Sequence, residues 1–297
     1  MESHEYYEVA WQCRSNLLKQ LASDNDNDIK QTLLSFTKFE RTHALRIFLA
    51  KSVNKSTGAE YIVSEKAEFY ETPDKKQPRP VSLNGLSKLW HGPNRADKVT
   101  PQEIPAYILS GLINQNEYDC VMELGCGFAR RLFETFYQTK NNSIQYFGGE
   151  ITKSGQNLSD MLSDMETEIN FSSFQYDHMN PKPPEIGNCQ NILIFTCHSI
   201  EQVPNLPDDF FEKLCGFAKN ITVVHFEPFG FQARTNTVSA KNHQYVADKE
   251  KYNQNLYPLI ERAHQSKLIN LKWVSLNLFR LDRNNPTSVI IWEKRSD

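Results

Sequence analysis

The stretch Tyr118-Asp119-Cys120-Val121-Met122-Glu123-Leu124-Gly125-Cys126-Gly127-Phe128-Ala129-Arg130 decides the fold. It reads as a buried strand, an E-x-G-x-G turn and the start of a helix. A parallel α/β sheet uses such a turn to hold a nucleoside-bearing ligand at its strand ends. Gly125 and Gly127 carry no Cβ, so the backbone can turn sharply and approach a ligand closely. Glu123 sets a carboxylate at the carboxyl end of the strand. Arg130 stands where a dinucleotide G-x-G-x-x-G fingerprint has its third glycine. Two glycines also serve as a plain tight turn, so the order of the elements beyond must decide.

A second strand, Ile144 to Gly149, ends at Glu150, 23 positions after Gly127. That is near the spacing of about 20 at which an acid meets ribose hydroxyls. Leu158, Met161, Leu162 and Met165 mark one face of a helix over Ser154–Glu166. A third strand, Phe171 to Tyr176, ends at Asp177. The fourth, Asn191 to Cys197, is nearly all apolar, as a strand buried on both faces should be. It runs into His198-Ser199-Ile200-Glu201-Gln202-Val203-Pro204, then a helix over Asp208–Lys219. A fifth strand, Ile221 to Phe226, ends at Glu227-Pro228. A long polar loop, a helix over Asn255–Gln265 and two strands, Leu271–Leu281 and Thr287–Trp292, close the chain as an antiparallel hairpin around Asp282–Pro286. Alternating strands and helices imply a parallel sheet with right-handed crossovers.

This order resembles the class I S-adenosylmethionine-dependent methyltransferases over roughly residues 118 to 297. The resemblance implies an α/β fold with a Rossmann-like, doubly wound sheet of five parallel strands plus a terminal antiparallel hairpin. It implies S-adenosylmethionine as cofactor, with Glu123, Gly125, Cys126 and Gly127 similar to the family's E/D-x-G-x-G motif. Glu150 is similar to the ribose-binding acid and Asp177 to the residue that meets the adenine amino group. Ile151, His178 and His198 complete the cofactor set. The segment 198–204 is similar to an E-x-x-E-H-V-P motif of small-molecule O-methyltransferases. Here His198 replaces the first Glu and Gln202 the His, so no metal is assigned.

The 297 residues suffice for one large or two small domains, and the extent of the strand-helix pattern divides them into a mainly helical, substrate-covering region at 1–99 and a cofactor domain at 100–297. A net charge of −3 shows no basic excess, so no nucleic-acid partner is expected. No apolar run approaches the roughly 20 residues that span a bilayer. The acidic start, Met1–Glu5, is unlike a signal peptide, and the chain is read as cytoplasmic. Six cysteines without a C-x-x-C are read as reduced structural thiols.

Within the first hundred residues, Ala10, Cys13, Leu17 and Leu21 predict an amphipathic helix over His4–Ala22, and Ile29–Val53 a second. Tyr61–Val63 and Ala67–Tyr70 suit a short hairpin, followed by a proline-rich connector at Thr72–Pro80. Thr100-Pro101-Gln102-Glu103 is a capping box that starts a helix through Leu112. Trp90, His91 and Arg95 form either a substrate wall or a packed aromatic beside a solvated turn.

Methyl transfer leaves reactivity to the cofactor and asks the protein for position and electrostatics. A hydroxyl acceptor also asks for a base. His198, Glu201, His225 and Glu227 are the ionisable candidates at the tips of strands four and five. The long loop at 229–252 carries Phe231, Arg234, His243 and Tyr245, whose mix of rings and donors suits a sugar. The expected reaction is O-methylation of a small polar molecule or saccharide. A protein or peptide methyltransferase and a non-catalytic scaffold are the alternatives.

Overall fold

The structure, a computed structural model, describes residues 2–53, 57, 60–72, 81–82, 98–99, 103–234, 236–280 and 285–295. Trp90, His91 and Arg95, the proline-rich connector beyond Thr72, the first three residues of the capping box and the turn at 282–284 lie outside them.

A seven-stranded sheet organises the molecule. In chain order its strands are β5 (Cys120–Leu124), β6 (Gln145–Glu150), β7 (Asn170–Gln175), β8 (Asn191–Cys197), β9 (Asn220–Glu227), β10 (Ile269–Arg280) and β11 (Pro286–Lys294). The numbering follows four earlier strands, β1 (His43–Val53), β2 (Glu60–Glu71), β3 (Val81–Ser82) and β4 (Lys98–Val99). The spatial order is β10-β11-β9-β8-β5-β6-β7. Strands β5 to β9 pair in parallel, and β11 runs antiparallel to both β9 and β10. Five parallel strands and a closing hairpin are the Rossmann-like arrangement that the resemblance implies.

Alternation along the strands sends successive side chains to opposite faces. Val121, Tyr146, Leu193, Val224 and Val289 join one core. It is covered by α1 (Glu2–Asp24), α2 (Ile29–Thr42), α3 (Ile104–Gln115), α4 (Arg130–Thr139) and α5 (Lys153–Met165), through residues such as Leu18, Phe36, Leu109, Phe133 and Leu158. Met122, Phe147, Ile194, Val223 and Ile290 join the other. There α6 (Phe210–Cys215) and α9 (Leu256–Gln265) supply Phe210, Phe211, Leu259 and Ile260. Register brings Leu124 level with Gly149, Gly149 level with Phe174, and Cys197 level with Phe226. The glycine turn, Glu150, Asp177, His198 and Glu227 therefore share one edge.

Four expectations change. The second helix stops at Thr42, and residues 43–53 form a strand paired with one continuous strand over 60–71, so the short hairpin within 61–70 is replaced by this longer one. The reason is period two: Leu45, Ile47 and Leu49 are half-buried while Arg46, Phe48 and Ala50 are exposed. The loop at 229–252 contains α7 (Gly230–Ala233) and α8 (Val238–Lys249), the latter capped by the Thr237 hydroxyl, which accepts from Ala240 N–H at 3.1 Å. Finally, Cys120 and Cys189 are not free thiols. They form a disulfide with Cα atoms 6.2 Å apart, because the start of β5 lies beside the segment entering β8. The other four cysteines are free. Closing a loop across 69 positions restricts the unfolded chain, so Cys189→Ser is expected to lower stability by about 2–4 kcal/mol. Urea unfolding without reductant checks this, and unchanged midpoints would show that the bridge contributes nothing.

Candidate active site

The turn after β5 is built from left-handed backbone. Gly125 has φ +76° and Gly127 φ +58°, a region costly for residues with a Cβ. Gly125 and Cys126 donate their N–H groups to the Gly149 carbonyl at 2.8 and 2.9 Å, tying the turn to the tip of β6. A Cβ on Gly125 would lie 2.4 Å from the Ser199 Cβ, and one on Gly127 would lie 2.5 Å from the Trp11 ring. The missing side chains thus let two other segments close over the turn.

A cleft of about 700 Å³, open solvent at its mouth included, runs along this edge. Gly125, Gly127, Glu150, Ile151, Asp177, His178 and His198 line it. The Glu150 carboxylate accepts from Gly127 N–H at 2.9 Å, Thr152 N–H at 3.0 Å and the Thr152 hydroxyl at 2.7 Å. Burial raises its pKa, and these donors pull the other way. His178 meets the Ser199 hydroxyl at 3.1 Å, and Ser199 donates to the Leu124 carbonyl at 2.8 Å. Since that hydroxyl proton is committed, His178 Nε2 carries the proton. Burial lowers the His178 pKa to about 3, so the ring is neutral. The Tyr176 hydroxyl and His178 Nδ1, on two residues that line the cleft, are buried without partners among the described residues.

The opposite wall comes from α1. His4, Tyr7 and Trp11 line the cleft, a spacing of three and four that puts them on one helical face. Glu8 fixes the helix in place. Its carboxylate accepts from Lys153 N–H at 2.9 Å and Ser154 N–H at 2.8 Å, and its carbonyl accepts from the Ser154 hydroxyl at 2.9 Å. A carboxylate at the first turn of α5 meets orphan donors and the positive end of the helix dipole. None of these four α1 residues stands out in the sequence, and the backbone partners of the Glu8 carboxylate are about 145 positions away.

His198 ends β8 with φ +54°, unusual for a residue with a side chain and common at functional sites. Its Nδ1 lies 3.2 Å from Glu201 Oε2 and its Nε2 lies 2.7 Å from the Thr287 hydroxyl. A carboxylate only accepts, so Nδ1 carries a proton, and in the neutral ring Nε2 accepts from the Thr287 hydroxyl. Glu227 serves this turn as a cap. Its carboxylate accepts from the N–H groups of Ser199, Ile200 and Glu201 at 3.1, 3.2 and 3.3 Å. Burial raises Glu227 to about 7, against the pull of His198.

Several sequence candidates fall elsewhere. Glu123 and Cys126 lie behind the turn, 2% and 8% exposed, and do not line the cleft. Burial raises Glu123 to about 8 despite the nearby Arg131 guanidinium. The Cys126 sulfur faces β6, 3.0 Å from where a Gly148 Cβ would stand. His225 is fully buried beside the Thr196 hydroxyl at 3.0 Å, in the core and outside the lining of the cleft. Phe231 and His243 are buried against each other, and Arg234 and Tyr245 are exposed, all outside the cleft. Sequence spacing could not show this, because the segment folds as helices that turn those rings inward or away. Ser199, Gln202, Val203 and Tyr176 line the cleft as well.

His225 gives a pH test. Burial lowers its pKa from 6.5 to about 3, with His178 adding to the effect. A lowered folded pKa stabilises the fold above 6.5, and that contribution is lost as pH falls from 6.5 towards 3. Parent and His225→Gln stabilities are expected to converge by about 1 kcal/mol per pH unit below 6.5. Urea unfolding at pH 7 and pH 5.5 checks this, and a gap independent of pH would show that the ring titrates in the fold as it does in the unfolded chain.

No family model and no curated protein matches the sequence. Solved structures do. A SAM-dependent methyltransferase from Aquifex aeolicus shares 12% identity over 72% of this chain and 100% of that chain, with a TM-score of 0.43. The magnesium protoporphyrin IX methyltransferase of Synechocystis, solved with bound SAH, shares 9% over 65% and 81%, with a TM-score of 0.44. The geranyl diphosphate C-methyltransferase of Streptomyces coelicolor, in complex with Mg2+, geranyl diphosphate and S-adenosyl-L-homocysteine, shares 13% over 66% and 79%, with a TM-score of 0.46.

Proposed function

We propose that this chain is an S-adenosylmethionine-dependent methyltransferase that acts on a hydroxyl of a small polar molecule, with His198 as the base. One observation carries the reading: the glycine turn, the strand-end acids Glu150 and Asp177, and a tethered histidine line a single cleft. The residues fit the cofactor. Glu150 keeps a lone pair on Oε2 for a ribose hydroxyl. Asp177 and the unpartnered Tyr176 hydroxyl suit the edge of a purine, and Ile151 and Val203 suit its faces.

The cofactor supplies an electrophilic methyl group on a sulfonium. The protein supplies position and a proton acceptor. Glu201 holds the imidazole with its proton on Nδ1, so Nε2 can take the proton of an acceptor hydroxyl that displaces Thr287 from it. Tyr7 and Trp11 narrow the cleft from above, which favours a small acceptor over an extended peptide. The saccharide expectation draws on Phe231, Arg234, His243 and Tyr245, and with those residues outside the cleft it has no support here.

Two experiments test the reading. Calorimetry with S-adenosylhomocysteine should show one site, and no binding up to about 1 mM, the upper end of ordinary KM values, would overturn it. Incubation of the protein and methyl-labelled cofactor with separated small-molecule and protein fractions should label the former. Label in the protein fraction alone would make the acceptor a polypeptide.

A further inference from the structure

We infer that Asn285 and His243 are positioning residues that lock the tautomer of His198 through Glu201. Taking His198 as the base rests on the proposed function, but the lock itself does not.

The chain of contacts is continuous and directional. The Asn285 amide NH2 donates to Glu201 Oε2 at 2.7 Å, the same oxygen that meets His198 Nδ1 at 3.2 Å. The Gln202 amide donates to the other oxygen at 3.0 Å. His243 Nε2 lies 3.1 Å from Asn285 Oδ1. The carboxylate forces every assignment. It has no proton to give, so the Asn285 nitrogen must face it and Asn285 Oδ1 must face His243. That oxygen accepts, so His243 carries its proton on Nε2. Burial lowers the His243 pKa, against the pull of Asn285 and Glu201. A reversed Asn285 amide would set an oxygen against the carboxylate, and the His243 N–H penalises that reversal.

Glu201 needs this support. It is 7% exposed and shares its surroundings with Glu227, a second buried carboxyl. Two donating amides hold it as an acceptor, and an acceptor at Nδ1 leaves Nε2 of the neutral ring to accept from the Thr287 hydroxyl. Thr287 cannot make that choice, because its hydroxyl both donates and accepts and so suits either tautomer. The lock spans three distant parts of the chain: the turn after β8, α8 and the entrance to β11.

Two-bond 15N–1H correlation of histidine side chains reads the tautomers directly and needs no acceptor. His198→Gln and His243→Gln spectra assign the signals. The parent should show His198 with its proton on Nδ1 and His243 with its proton on Nε2. Asn285→Leu should turn His198 into a mixture of tautomers, and His243→Phe should do the same more weakly. Thr287→Val should leave the Nδ1–H form intact. The inference is overturned if parent His198 carries its proton on Nε2, or if both Asn285→Leu and His243→Phe keep a pure Nδ1–H signal. Should Asn285→Leu fail to fold, His243→Phe decides alone. A lock that holds while His198→Ala keeps full turnover would refute the base and leave the positioning intact.

Discussion

Glu150→Ala is expected to weaken S-adenosylhomocysteine binding about 100-fold, roughly 2.8 kcal/mol at 1.4 kcal/mol per tenfold. Two losses add. The first is the ribose contact, a hydrogen bond to a charged group worth about 1.5–3 kcal/mol. The second is internal. Gly127 N–H, Thr152 N–H and the Thr152 hydroxyl all lose their acceptor in a buried site. Gly127 belongs to the turn that frames the cleft, and Thr152 caps α5 by accepting from Gly155 N–H at 3.2 Å. The turn and the helix start should loosen together, so the melting temperature should fall with the affinity. Glu150→Gln keeps the shape and one acceptor oxygen, and should lose less on both counts. Calorimetry and thermal melts of the three proteins check this. A folded Glu150→Ala protein that binds as tightly as the parent would move the ribose contact to another residue, with Asp177 the nearest candidate in the cleft.

The parallel core was legible because its signals are local. An apolar run such as Asn191–Cys197 means a strand buried on both faces, and glycines after such a strand mean a turn into a helix. The first hundred residues misled because helix and strand patterns overlap there. Leu45, Ile47 and Leu49 alternate, yet they follow a helix with no proline or glycine to mark its end. Only pairing with Glu60–Glu71 settles the segment as a strand. The disulfide was illegible for a similar reason: 69 positions separate its cysteines, and the sheet alone makes them neighbours.

The site divides along the same line. Residues at or just beyond a strand end, Gly125, Gly127, Glu150, Asp177 and His198, could be placed because strand ends share an edge. Residues whose role depends on two elements meeting could not. His4, Tyr7 and Trp11 reach the cleft because Glu8 docks α1 on α5. His243 reads as a ligand-facing ring, and α8 turns it onto Asn285 instead. Glu227 reads as a strand-tip acid open to substrate, and the turn at 199–201 folds its three N–H groups onto it.

His198→Asn is expected to cost about 100-fold or more in turnover, within the 10²–10⁴ that a positioned base contributes, while cofactor affinity stays near the parent value. Asparagine is the informative choice. It tolerates the left-handed backbone at φ +54° better than most residues, and its amide can still donate to Glu201. What it cannot do is take a proton. His198→Ala loses the Glu201 contact as well and also keeps the backbone penalty, so it should be no more active and less stable. The measurement is single-turnover transfer of labelled methyl to the acceptor found in the fractionation experiment, alongside calorimetry for the cofactor. Glu201→Ala separates the two roles in this pair. If Glu201 only orients the ring, that variant should retain more activity than His198→Asn, because a loosely held imidazole still accepts protons. Near-parent turnover in His198→Asn with loss in Glu201→Ala would make the carboxylate the base. Full turnover in both would mean that the cleft works by holding the reactants together and that the acceptor needs no base.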